Sequence, residues 1–123
     1  MKILYFITSL NLGGAEKVTL NLAEKMVERG HVVKIVYMFG NAKIFSDSKK
    51  LEIISLNLSS YISLIFGLFK LRKLVLSFNP DVVHSHMYHA NIYIRIYRLL
   101  FGLKKNISSA HSSIEGSKFG MLL

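Results

Sequence analysis

A chain of 123 residues is long enough for one domain with a real core and too short for two. Its 16 Lys+Arg against 7 Asp+Glu give a formal net charge of +9, which points to polyanionic surroundings such as nucleic acid, anionic lipid or phosphorylated substrates. The lack of cysteine excludes a disulfide framework and any Cys-ligated metal, while a hydrophobic fraction of 51% and a mean hydropathy of +0.38 make the chain more apolar than an ordinary soluble domain.

The first element is the apolar run Ile3 to Ile7, of strand length. It is too short for a secretory signal and leads into a glycine pair and a charged helix, so the start reads as mature and cytoplasmic. A turn segment, Thr8 to Gly14, precedes the helix-forming run Ala15 to Arg29, which Gly30 stops. Val18, Leu20, Leu22, Ala23, Met26 and Val27 are expected on one broad face of that helix, with Lys17, Glu24, Lys25 and Glu28 opposite. Val32 to Met38 is the second strand, and a strand that returns after a helical crossover is parallel to the first. Strand, glycine pair and helix start together gather unpaired backbone N–H groups and the positive end of a helix dipole, a place suited to an anion. Leu12-Gly13-Gly14-Ala15-Glu16 carries neither the G-x-G-x-x-G turn nor the G-x-x-x-x-G-K-[ST] loop, which leaves dehydrogenase and kinase readings with little support. The competing reading is a tight turn that uses glycine only for its conformational freedom.

After a polar loop with Asp47, Lys49 and Lys50, Leu51 to Leu58 reads as the third strand. Ser59 or Ser60 caps the next helix, which Asn79-Pro80 closes after Phe78. Ile53 to Phe69 lacks charge, but Asn57, Ser59, Ser60 and Ser63 divide it into a strand half and a helix half, which argues against a membrane span. Asp81 to His86 is a short fourth strand, Tyr88 to Phe101 a helix stopped by Gly102, and Asn106 to Ala110 a fifth strand. The expected architecture is α/β: an open, mostly parallel, Rossmann-like sheet with helices on both faces, strand one central, and ligands at the carboxyl ends of the strands. Asn11 to Glu16, His84 and His86, and His111 to Glu115 all fall at those ends. The closing apolar run Phe119 to Leu123 would leave a face of such a sheet uncovered, so the chain is expected to be the first part of a longer domain.

His84-Ser85-His86-Met87-Tyr88-His89 has the spacing H-x-H-x-x-H. Three imidazoles converging on a metal, one histidine acting in a metal-free site, and a packed pair all fit that spacing. With Tyr88 where metallo-hydrolases place an aspartate and no carboxylate cluster nearby, no metal and no cofactor is expected. A G-x-S-x-G elbow and paired hydrolytic carboxylates at one strand end are also lacking. Two basic sets, Lys70, Arg72 and Lys73, then Arg95, Arg98, Lys104 and Lys105, interleave with apolar and aromatic residues. They are either the solvated faces of core helices or a patch for an anionic membrane surface. No recognition fold accompanies them, so nucleic acid is not expected as a partner.

Three separated segments, Met1 to Glu16 with Leu12-Gly13-Gly14-Ala15-Glu16, Pro80-Asp81-Val82-Val83-His84-Ser85-His86, and Ser109-Ala110-His111-Ser112-Ser113-Ile114-Glu115-Gly116, resemble family-4 retaining glycosyltransferases of the GT-B fold. The resemblance is nearest to enzymes assembling bacterial O-antigen, capsule or other surface polysaccharide. It implies that residues 1–123 form part of an N-terminal, acceptor-side domain, and that a second domain holding most of the nucleotide-sugar lies outside this chain. By the resemblance Gly13 and Gly14 lie against the donor diphosphate, His86 sits by the donor sugar at the reaction centre, and Asn11, His111 and Glu115 line the acceptor side. The partners it implies are a nucleotide-sugar, a lipid-linked oligosaccharide acceptor and the inner face of the cytoplasmic membrane, with the 123-residue polypeptide inactive alone. The alternative is a non-catalytic module that binds a phosphate ligand or associates with a membrane.

Overall fold

The computed structural model describes residues 1–10, 13–40, 50–102 and 106–109, with only the backbone for Ala15 and 106–109. The described residues form β1 (Lys2–Ile7), α1 (Gly14–Glu28), β2 (Val32–Tyr37), β3 (Leu51–Ser55), α2 (Tyr61–Phe78), β4 (Val82–His86), α3 (Tyr88–Phe101) and β5 (Asn106–Ser109). The five strands make one sheet in the order β3-β2-β1-β4-β5, and every pairing is parallel. The fold is thus α/β and Rossmann-like, with β1 at its centre. Chain direction across the sheet reverses between β1 and β4, and beyond the carboxyl ends of those two strands lies the crevice where open α/β sheets place ligands.

Alternation along the strands feeds two apolar layers. Ile3, Tyr5 and Ile7 of β1 pack with Val33 and Ile35 of β2 and with Leu20 and Ala23 of α1. Leu4 and Phe6 point the other way, toward Leu71 and Phe78 of α2 and Tyr93, Ile94 and Tyr97 of α3. Gly67 lets α2 approach closely: a Cβ there would lie 2.5 Å from Leu58 Cδ2 and 2.6 Å from Tyr93 Oη. The Tyr93 hydroxyl donates to the Leu64 carbonyl, and burial pushes its pKa up to about 12, so it is a neutral donor that staples α3 to α2.

Local chemistry shortens the third strand and closes α2 where its caps were expected. Leu51 to Leu58 was expected as one strand, but β3 ends at Ser55, because Asn57 takes a positive φ of 53° and its N–H donates to Ser55 Oγ at 3.0 Å. Leu56 and Leu58 remain buried and their N–H groups still donate to the Tyr37 and Met38 carbonyls. Ser60 is the N-cap of α2 in a reciprocal capping box with Ser63, and Asn79 closes the helix in the left-handed region, its N–H donating to Val75 O at 2.7 Å. A correction concerns α1, where Val18, expected inward, is 45% exposed, while Glu16 and Thr19 are buried. The inward stripe runs through 16, 19, 20 and 23, and its first two positions are polar. Among the described residues no helix is long and apolar enough to cross a membrane.

Candidate functional site

Gly13 follows the carboxyl end of β1, His86 ends β4, and the register sets Ile7 beside His86. Both residues therefore stand at one edge of the sheet, on either side of the reversal point. Asn11, His111 and Glu115, and with them Ala110, Lys104 and Lys105, lie outside the described residues.

The polar residues that are buried among the described ones are Glu16, Thr19, Ser85, His86 and Asn91. Glu16 and Thr19 belong to the opening turns of α1, Ser85 and His86 to the end of β4, and Asn91 to the opening of α3. All five gather at the carboxyl edge around the β1/β4 crevice. Burial of a polar side chain costs free energy unless it is hydrogen-bonded, so such a concentration at one end of a sheet is the physical mark of a site.

The glycines act otherwise than through backbone freedom. Gly13, the N-cap of α1, has φ −74° and ψ 166°, which any residue can adopt. What it lacks is room: a Cβ would sit 2.5 Å from Glu16 Oε1. Glu16 is at the third helical position, the place from which a glutamate reaches back over a helix start, and its Oε2 accepts the Ser9 hydroxyl proton at 3.2 Å. Only 6% exposed, its carboxylate already opposes the positive end of the α1 dipole. A Cβ on Gly14 would meet no described atom within 4 Å, so the backbone at the first helical position is approachable.

Across the crevice, His84 and His86 share a strand face as residues two apart must, with ring centroids 4.1 Å apart. The Tyr5 ring lies 5.6 Å from His84 and 5.8 Å from His86, and burial raises the Tyr5 phenol pKa, keeping it neutral. His86 is only 1% exposed. It is a buried ring, so its substitution must cost packing as well as any chemistry. His89 is exposed on α3, edge-on to Tyr88 at 5.6 Å, and among the described residues no three His, Cys, Asp or Glu side chains converge as a metal site would require.

Thr8, which composition and spacing did not single out, ties the edge together. Its carbonyl accepts the N–H groups of Met38 and Phe39, and its Oγ1 accepts the N–H of Ala90 at 3.0 Å, capping α3 from just past the end of β1, 82 residues away. The N-cap position of α3 is Met87, at φ 74° and ψ 155°, a region that essentially only glycine occupies. Met87 packs against the layer of α1, and its carbonyl accepts the Asn91 N–H at 3.0 Å, so surrounding contacts hold the strained turn that follows His86. At the same edge, on the β2/β3 side, an open groove of about 440 Å³ is lined by Phe39, Ser59, Ser60, Tyr61 and Leu64.

The arrangement offers an anion an approachable helix start, a second helix start across the crevice, and two imidazoles against a neutral phenol. No curated protein matches the chain. The sequence profile described as Glycosyltransferase Family 4 matches residues 12–122, a span that takes in both the glycine turn and the β4 histidines. With nearly its whole length covered, the chain belongs to Glycosyltransferase Family 4.

Proposed function

We propose that this chain is the acceptor-side part of a retaining, metal-independent glycosyltransferase. It would move a sugar from a nucleotide-sugar to a lipid-linked or saccharide acceptor in the synthesis of cell-surface polysaccharide, at the cytoplasmic face of the membrane. The observation that carries this reading is the set of buried polar side chains around the β1/β4 crevice, next to a helix that starts at Gly13-Gly14. Charge develops on the diphosphate as the glycosidic bond to the donor breaks. Backbone N–H groups at the start of α1 stabilise that charge without a metal. Retention requires the acceptor hydroxyl to be held close to the anomeric carbon on the leaving-group face, which is a matter of positioning. In this reading Gly13 and Gly14 meet the diphosphate, His86 hydrogen-bonds at the donor sugar, and Asn11, His111 and Glu115 orient the acceptor.

The resemblance assigns the donor's other contacts to a second domain. The 123 residues alone should therefore bind a nucleotide-sugar weakly and transfer nothing. The test joins the chain to a donor-binding domain of the same family and supplies a panel of nucleotide-sugars with membrane-lipid extract. Release of nucleoside diphosphate coupled to a glycosylated lipid of unchanged anomeric configuration is expected. Nucleoside diphosphate bound at the crevice, with no transfer from any donor, would instead favour the non-catalytic phosphate-binding module.

A further inference from the structure

The two helical layers carry different charge. Helix α1 has three glutamates against two lysines, whereas α2 has three cations, α3 has two, and neither has an acidic residue. Lys70, Arg72, Lys73, Arg95 and Arg98 are all exposed. Helix α2 is also apolar on both faces. Leu64, Leu68, Leu71 and Phe78 turn toward the sheet, while Ile62, Ile65, Phe66, Phe69 and Leu76, spaced as one helical stripe, stay more than half exposed. An open groove of about 560 Å³ runs along that stripe, with Lys70, Arg72 and Lys73 on its walls.

We propose that the outer face of α2, continued by α3, is a docking surface for an anionic lipid bilayer. A stripe of aliphatic and aromatic side chains flanked by cations, with no carboxylate to repel a headgroup, matches the boundary between acyl chains and anionic headgroups. A second copy of the chain is disfavoured as occupant, because a two-fold contact would set two wholly cationic faces against each other. Helix α2 starts beyond the carboxyl end of β3, and Ile62 lies in its first turn next to Tyr61, which lines the groove at the carboxyl edge on the β2/β3 side. A bilayer lying along this stripe would meet the carboxyl edge of the sheet on its β3 side, the edge that also holds the crevice. The docking surface stands on exposure and charge alone and does not depend on the transfer reaction.

The test is sedimentation of the 123-residue chain with vesicles of neutral phosphatidylcholine, and with the same lipid containing about a third phosphatidylglycerol. Binding to the anionic vesicles only, weakened by salt, is expected. At about fivefold in partitioning per cation removed, Lys70→Gln with Lys73→Gln should weaken binding about thirtyfold, and the exposed pair Lys17→Gln with Lys25→Gln on α1 should leave it unchanged. Ile65→Ser with Phe66→Ser should weaken binding even at low salt, and circular dichroism should show an intact fold for the lysine pairs. Equal partitioning to neutral and anionic vesicles, equal loss from the α1 and α2 lysine pairs, or a stable dimer abolished by Ile65→Ser with Phe66→Ser and accompanied by no vesicle binding would each overturn the proposal.

Discussion

The two edges of the sheet are built on opposite plans. At the amino edge the connections are short and their polar groups face water. Gly30 turns α1 into β2 at φ 92°, Asn79 closes α2 in the left-handed region, and the exposed Asp81 exchanges hydrogen bonds with the backbone of Lys2. At the carboxyl edge, around the β1/β4 crevice, five polar side chains are buried, the glycine at the helix start has an ordinary backbone, and the strained residue is a methionine. One edge relieves strain where the chain turns, and the other retains strain and buried polarity. The difference teaches where to look for function: strain and buried polar groups persist only where surrounding structure holds them, and they concentrate at sites.

Substitutions paired across this contrast should break or sharpen it. The largest effect on stability is expected within the histidine motif. Truncating the buried ring in His86→Ala should cost about 2–4 kcal/mol in urea unfolding, in the range for emptying a large buried side chain. His89→Ala, at an exposed position three residues on, should stay within about 0.5 kcal/mol. Equal costs would mean that His86 is not packed as described.

The glycines come next. Gly30→Ala should cost about 1–2 kcal/mol, since a Cβ meets nothing there but the positive φ is unfavourable to it. It should not alter binding of a nucleoside diphosphate. Gly13→Ala can be accommodated only if the Glu16 carboxylate moves, so its effect should be mainly on binding, with affinity changed severalfold and stability by less than for Gly30→Ala. If both variants lose only stability, the glycine turn is a structural feature and nothing more.

Thr8→Val removes the acceptor of the Ala90 N–H at nearly constant shape and should cost about 1 kcal/mol, the usual worth of a helix cap. Thr8→Ser should restore most of it. The last comparison pairs a non-glycine residue with positive φ at each edge. Met87→Gly should stabilise by about 1 kcal/mol as relief of strain outweighs the loss of a partly buried side chain, whereas Asn79→Gly should change stability by less than about 0.5 kcal/mol, because asparagine tolerates the left-handed region.

Much of this fold is legible in the chain. Apolar runs of strand length alternate with runs of helical period, and Gly30, Ser60, Asn79 and Gly102 punctuate them, so the order of elements follows from local chemistry, and the central place of β1 from the open α/β architecture that this order implies. The crevice edge was legible only as an address. Counting apolar residues put Val18 inward, because the inward stripe of α1 begins with Glu16 and Thr19, and polar residues at inward positions are invisible to that count. Glutamate three positions after a glycine N-cap is the signal that could have found Glu16. Thr8 capping α3 across 82 residues, and Met87 held at a positive φ, depend on tertiary contacts that no local window contains.

The central claim is that the ligand edge is the carboxyl edge, at the crevice between β1 and β4. The most direct measurement is the backbone amide spectrum of the chain titrated with a nucleoside diphosphate. The account predicts saturable shifts at Gly14, Thr19, Ser85 and Ala90, with Lys2, Gly30, Asn79 and Asp81 unmoved. Shifts centred on the amino edge or spread along α2, or none up to millimolar ligand, would contradict it.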